Sequence, residues 1–153
     1  MPVKFGREVE RTIQIPKAWK QEAPSNNMRL LQVRVPKHGD IEDDAEFAIF
    51  KMKGGGGVDA NIKRWCAQFG GDDALKRQST VKTASGTEAA VAELEGTYTA
   101  MGMGGTQAPK ADQKMLAAII VMDEGEYYVK FTGSQKLVDE NKAFFEHAVE
   151  SFK

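Results

Sequence analysis

Apolar residues along this chain recur every second position in some stretches and near every 3.6 in others, and the changes of period mark out its elements. RTIQI at 11–15 is a short strand stopped by Pro16. MRLLQVRV at 28–35 alternates, with Leu31, Val33 and Val35 on one face, Gln32 and Arg34 on the other, and Pro36 at its end. AEFAIFKM at 45–52 is apolar on both faces, as an interior strand is. In VDANIKRWCAQF at 58–69 the spacing turns helical: Val58, Ile62, Trp65 and Phe69 form one narrow stripe with Cys66 at its edge, and Gly70-Gly71 ends it. STVKTA and EAAVAELEGTYTA predict a hairpin about SGTE, MLAAIIVM at 115–122 is a buried strand, and DEG turns tightly into EYYVKFT. SQKLVDENKAFFEHAVESFK returns to helical spacing over 134–151, with Ser134 as N-cap and Leu137, Phe144, Phe145, Ala148 and Phe152 on one broad apolar face.

Strands joined by short turns imply antiparallel pairing, and helices with one apolar face must lie on the sheet. The expected fold is α+β, a mainly antiparallel sheet of about six or seven strands packed with two main helices. Residues 1–10 read as an N-terminal extension and 11–153 as a single domain. WKQEAPSNN, KHGDIEDD and MGMGGTQAPKADQ read as connections.

Composition narrows the function classes. The 153 residues suit one domain with a real core, and 21 basic against 22 acidic residues leave no global pull toward nucleic acid or an anionic membrane. A single cysteine, Cys66, excludes an internal disulfide. MPVKFGREVERTIQIP has no apolar h-region, so the expectation is a cytoplasmic chain as the sequence stands, or a periplasmic one where a leader precedes it. The longest apolar run is too short to span a bilayer.

The glycine run in KMKGGGGVDANIKRWC raises the question of a phosphate loop. A P-loop needs Lys and Ser/Thr after its last glycine, but Val58 and Asp59 follow Gly57, and an acid at a helix start disfavours a bound anion. The run reads as a strand-to-helix join needing unusual backbone angles. His38 and His147 lack a second ligand at metal-site spacing, and Cys66 lies at the edge of a core stripe, as an inert thiol does. Trp65 belongs to the same stripe, away from Lys63 and Arg64, so NIKRW reads as core rather than a base-stacking platform. These residues imply no cofactor, no metal and no nucleic-acid partner. In EYYVKF, Tyr127, Val129 and Phe131 share one face and Tyr128 and Lys130 the other; one set meets a helix, and the second lies on the sheet's other face, buried or lining a groove.

WKQEAPSNNMRLLQVRVP, DAEFAIFKMKGGGGVDANIKRWCAQF, ELEGTYTA and YYVKFTGSQKLVDENKAFFEHAVESFK together resemble a group of small, uncharacterised bacterial proteins, many of them exported or lipid-anchored. Its most specific element is N-I-x-R-W-x-x-Q-F, here Asn61 to Phe69. The order of elements is similar to the PsbP-like fold, which includes the extrinsic photosystem proteins and a Ran-binding type. That resemblance implies an α/β/α sandwich and a protein-binding role, with no catalytic residues. The expectation is a non-catalytic protein-binding or accessory subunit of a larger, membrane-associated complex, contacting a protein partner through Arg29, Arg64 and the 101–106 loop with Met101 and Met103. The rival is a small-ligand-binding protein or an enzyme, with a pocket between the sheet and the 100–113 loop lined by Trp19, Met28, Tyr98 and Tyr128.

Overall fold

From the N-terminus, β1 (Pro2–Phe5) and β2 (Arg11–Gln14) pair as an antiparallel hairpin in a computed structural model of the chain, which describes residues 1–99 and 109–153 and the backbone of 101–102 and 105–106. Then come β3 (Lys20–Glu22), β4 (Arg29–Val35), β5 (Ala45–Met52), α1 (Gly57–Gln68), a 3₁₀ turn (Asp72–Ala74), β6 (Leu75–Lys82) and β7 (Glu88–Tyr98). Two short strands follow, β8 (Met101–Gly102) and β9 (Gly105–Thr106), and then β10 (Lys110–Met122), β11 (Gly125–Ser134), α2 (Gln135–Glu140) and α3 (Lys142–Glu150).

Seven strands form one sheet in the order β3-β4-β5-β11-β10-β7-β6, and every adjacent pair is antiparallel. The fold is the expected α+β sandwich. One face carries Leu31, Val33, Phe47, Ile49, Val129 and Phe131, and is covered by α2 and α3 together with the β1–β2 hairpin. The other face carries Ala92, Leu94, Met115, Ala117, Ile119 and Tyr128, and is covered by Ile62, Trp65, Cys66 and Phe69 of α1. Alternation along each strand sends neighbouring residues to opposite faces, which is why Tyr127 and Tyr128 are both buried, in different cores. Among the described residues no helix is long and apolar enough to cross a membrane.

The structure departs from the sequence expectation at four places. The first ten residues contribute β1, and Val3 and Phe5 are buried against Tyr127 and Phe152. The β1–β2 hairpin is joined to the sheet by a bidentate pair, Arg11 Nε and Nη2 donating to Glu124 at 2.8 and 2.9 Å. The WKQEAPSNN connection contains β3, an edge strand too short to show alternation. The 134–151 helix is two helices, because Asn141 leaves helical geometry (φ −107°, ψ 9°); its amide donates to Leu137 O at 2.9 Å and accepts from the Trp19 indole at 3.3 Å. The 100–113 connection holds β8 and β9, paired with each other, and the first residues of β10.

Candidate functional site

The glycine run closes on its own helix. Gly54, Gly56 and Gly57 adopt φ of +70°, +92° and +86°, the left-handed region that other residues enter at a cost. At Gly55 a Cβ would overlap the Tyr128 hydroxyl. Buried Asn61, one turn into α1, donates to Gly55 O at 3.0 Å and Gly57 O at 2.7 Å and lies 3.1 Å from the Tyr128 hydroxyl, which donates to Glu126 at 2.8 Å. Arg64 in turn donates to Asn61 Oδ1 at 2.5 Å. The loop's carbonyls are thus tied to a side chain of α1, so the run is a structural join. Asn61→Ala is expected to cost about 1.5 kcal/mol in urea unfolding, since it removes the amide that ties the part-buried carbonyls of Gly55 and Gly57 to α1. A loss below about 0.5 kcal/mol would show that water replaces the amide.

Beside α1 the same sheet face is open. The helix packs over β7, β10 and the Tyr128 end of β11, with Phe50 and Met52 of β5 at the edge of its cluster and no residue of β4 in it. The uncovered part is the floor of a groove of about 800 Å³, walled on one side by the 40–44 loop. Its floor is built from Arg29, Glu46, Phe50, Tyr98, Lys130 and Thr132. The sheet order brings these residues together: Phe50 is in register with both Arg29 and Tyr128, and Thr132 with Glu46. On the rim, β10 is bulged between Lys110 and Gln113, with Asp112 at φ +57°, and Lys110 pairs with Asp43 at 3.3 Å.

The electrostatics of this floor are uneven. The Arg29 guanidinium lies over Phe50, 5.2 Å from the ring centroid, and its Nη1 pairs with Glu46 at 2.6 Å and donates to Gln32 at 3.1 Å. Its Nε is buried and, among the described residues, has no hydrogen-bond acceptor. The Lys130 ammonium sits 5.4 Å from the ring centroids of both Phe50 and Trp65, and among the described residues it forms no ion pair. Burial, together with the charges of Arg64 and Arg29, brings its pKa down to about 8, against a weaker opposing pull from Glu46. Tyr98 stacks on Phe69 at 4.8 Å, and burial, with Glu46 adding and Arg29 opposing, pushes its hydroxyl up.

Of the residues singled out in the sequence, Arg29 and Tyr98 line this groove, and Arg64 acts on Lys130 from α1. The others are elsewhere. Trp19 is buried in the opposite core, 5.3 Å from the rings of Phe47 and Phe131. Tyr128 is buried under α1, edge-on to Trp65. Met28 is exposed at a separate, smaller hollow beside Arg7 and Lys51. Met101 lies in β8, described as backbone, and Met103 falls outside the described residues. Glu46, Phe50 and Lys130 were missed as site residues. One signal was available, because a lysine in an interior strand beside Tyr128 conflicts with two-sided burial.

The remaining reactive groups are accounted for locally. Cys66 is buried, and burial, with Asp72 adding, raises its thiol pKa, which makes a poor nucleophile. Burial, with the Glu124 hydrogen bond adding, pushes Tyr127 up to about 12. His38 pairs with Glu140 at 2.5 Å on the surface. Among the described residues no cluster of three His, Cys, Asp or Glu side chains is arranged to hold a metal.

No protein-family model and no curated protein sequence matches the chain. Solved structures do match its fold. A crystal structure of a Pseudomonas aeruginosa protein of unknown function, PA94, superposes with a TM-score of 0.55 at 14% identity, covering 97% of this chain and 94% of that one. The solution structure of the cyanobacterial PsbP (CyanoP) of Synechocystis superposes with a TM-score of 0.56 at 11% identity, covering 94% of this chain and 85% of that one. The chain therefore has a PsbP-like fold.

Proposed function

We propose that this chain is a non-catalytic binding protein, an accessory subunit that takes a segment of a protein partner into the groove between the β5–β11 face and the 40–44 loop. The observation that carries this reading is the cationic, aromatic-backed floor made by Arg29, Phe50, Tyr98 and Lys130. Such a floor supplies charge to orient a partner and flat rings to bury against it. The PsbP-like architecture agrees with the role and adds nothing about the partner. The Asn61-to-Phe69 pattern supports grouping the chain with the small bacterial proteins that share it, and a larger envelope-associated complex is the setting that grouping suggests.

The test is retention of a partner from native extract on immobilised wild-type protein, Arg29→Gln, Lys130→Met and Met28→Ala. The partner is expected on the wild type and on Met28→Ala, and to be lost from the two groove variants. Equal retention on all four would remove the groove from this reading. The groove volume of about 800 Å³ also lies within the range of small-molecule sites, which favours a second reading, a small-ligand-binding protein. Stabilisation by a metabolite in a thermal-shift screen, with no partner retained, would put that reading first.

A further inference from the structure

A lysine in an interior strand is normally paired where it is buried. Lys130 of β11 is not. Its cross-strand neighbours are Ala48 of β5 and Ala117 of β10, and its Nζ stands 5.4 Å from the ring centroids of both Phe50 and Trp65. Among the described residues it forms no ion pair, and Arg64 of α1, Arg29 of β4 and Glu46 of β5 act on it through charge alone. The side chain is nonetheless part-exposed and belongs to the groove floor. It is open to a ligand, where Arg29 Nε is sealed in.

The carboxylates of the groove are engaged elsewhere. Glu46 holds Arg29 at 2.6 Å, Asp43 holds Lys110 at 3.3 Å, Asp40 holds Lys136 at 3.4 Å and Asp44 meets Arg34 at 3.7 Å. The fifth, Glu42, lies on the 40–44 wall and is not among the charges that act on Lys130. With five carboxylates against four cations in its lining, the groove selects neither sign of ligand. What sets Lys130 apart is its reactivity. Burial and the two guanidinium charges bring its pKa down to about 8. Near pH 7.5 about a quarter of it is then free amine, against about one part in a thousand for an ordinary lysine. Desolvation and a neighbouring cation are the two ways in which a lysine becomes a nucleophile toward a carbonyl carbon.

We propose that Lys130 is a covalent capture site for a small, uncharged aldehyde or ketone, held as an imine on Nζ with its carbon skeleton against the Phe50 ring. The Nζ lone pair adds to the carbonyl carbon, and the carbonyl π pair moves to oxygen, which takes a proton. The carbinolamine then loses that oxygen as water. Nitrogen gives up two protons and the water carries two away, so nothing is oxidised or reduced and no co-reactant is needed. The proposal deepens the small-ligand reading of the groove and rests on it.

The test is labelling of the folded protein by benzaldehyde with sodium cyanoborohydride, which reduces an imine to a stable secondary amine, followed by peptide mass spectrometry. Lys63 and Lys82, both exposed, serve as internal references. At pH 7.5 Lys130 is expected to label about tenfold faster than either, the gain in free amine being partly offset by its lower basicity. The ratio of Lys130 to Lys63 cancels the reagent's own pH dependence. It should fall by about tenfold or more between pH 7.5 and 9.5, as the surface lysines deprotonate and Lys130 has already done so. Arg64→Gln removes one guanidinium charge, so it should lower the ratio about twofold at pH 7.5 and leave it nearly unchanged at pH 9.5. A loss of fold would instead change the ratio at both. Labelling of Lys130 no faster than of Lys63, or a ratio constant with pH, overturns the imine site. A carbonyl-free metabolite that stabilises the protein while Lys130 stays unreactive keeps the small-ligand reading and overturns the imine alone, so the two failures are distinguishable.

Discussion

Lys114→Met is expected to cost about 3 kcal/mol of folding stability at neutral pH, the scale for breaking a buried ion pair by removing one partner. Lys114 is 6% exposed, on the sheet face that α2 and α3 cover. Its ammonium lies 2.5 Å from Asp139, 3.1 Å from Glu95 and 3.5 Å from Glu93. Lys142 of α3 meets Glu93 from the other side at 2.8 Å. The network therefore spans β7, β10, α2 and α3. Burial pushes the Glu93 carboxyl up, but the hydrogen bonds and charges of Lys142 and Lys114 outweigh it and hold the carboxyl below its ordinary value. Burial likewise pulls Lys114 down, and its contacts with Asp139 and Glu95 outweigh that and leave it raised.

The signs of these shifts set the pH window. A depressed carboxyl stabilises the fold above its unfolded pKa, near 4.3, and loses that contribution as pH falls through its folded value. A raised lysine stabilises the fold below its unfolded pKa, about 10.4, and loses that contribution as pH rises through its folded value. The deficit of Lys114→Met should thus be flat from about pH 5 to 9 and narrow on acidification, as Glu93 takes up a proton. Urea unfolding of the wild type, Lys114→Met, Glu93→Leu and the double variant measures it. A single-variant loss under about 1 kcal/mol, or additive effects in the double variant, would mean that solvent screens the network.

What the sequence reveals of such features depends on how far apart the partners are along the chain. The α1 stripe of Val58, Ile62, Trp65 and Phe69 follows from spacing alone, and each of these residues does pack in the core under α1. The Ser134 cap is equally local: its hydroxyl accepts from Leu137 N at 3.3 Å. Asn61 is different. It looks like a solvent-facing helix residue, because its partner Tyr128 is 67 residues away, and only the fold shows that it is buried. Trp19 is a pocket residue in the ligand-binding reading of the sequence, yet it fills the core between Phe47 and Phe131. The groove is partly legible, since Arg29, Glu46, Phe50, Tyr98 and Lys130 all lie in segments whose pattern reads as strand. That they converge is a property of the β4-β5-β11 order, and pattern along one strand does not encode it.

Lys130→Met is expected to make the protein more stable, by about 2 kcal/mol at neutral pH. A pKa held at about 8, against an ordinary lysine value of 10.5, means that the charged form is penalised in the folded state. At about 1.4 kcal/mol per pKa unit the penalty is roughly 3 kcal/mol. The ammonium's contacts with the Phe50 and Trp65 rings offset about 1 kcal/mol of the gain from removing it. The groups facing Lys130 are Arg29, Arg64 and Glu46, and none of them is removed by the substitution. Below pH 8 the folded and unfolded chains both carry the charge, so the full penalty stands. Between about 8 and 10.4 the folded chain releases the proton and the unfolded chain keeps it, so wild-type stability rises with pH across that window. The advantage of Lys130→Met should therefore be largest at and below neutral pH and fade toward about pH 10. Denaturation at a series of pH values reads this directly. A variant less stable than the wild type at neutral pH would mean that ring contact dominates, making Lys130 a structural residue. A variant that is more stable but no longer retains the partner would show a charge kept at a cost in stability for the sake of binding, the trade expected at a binding site.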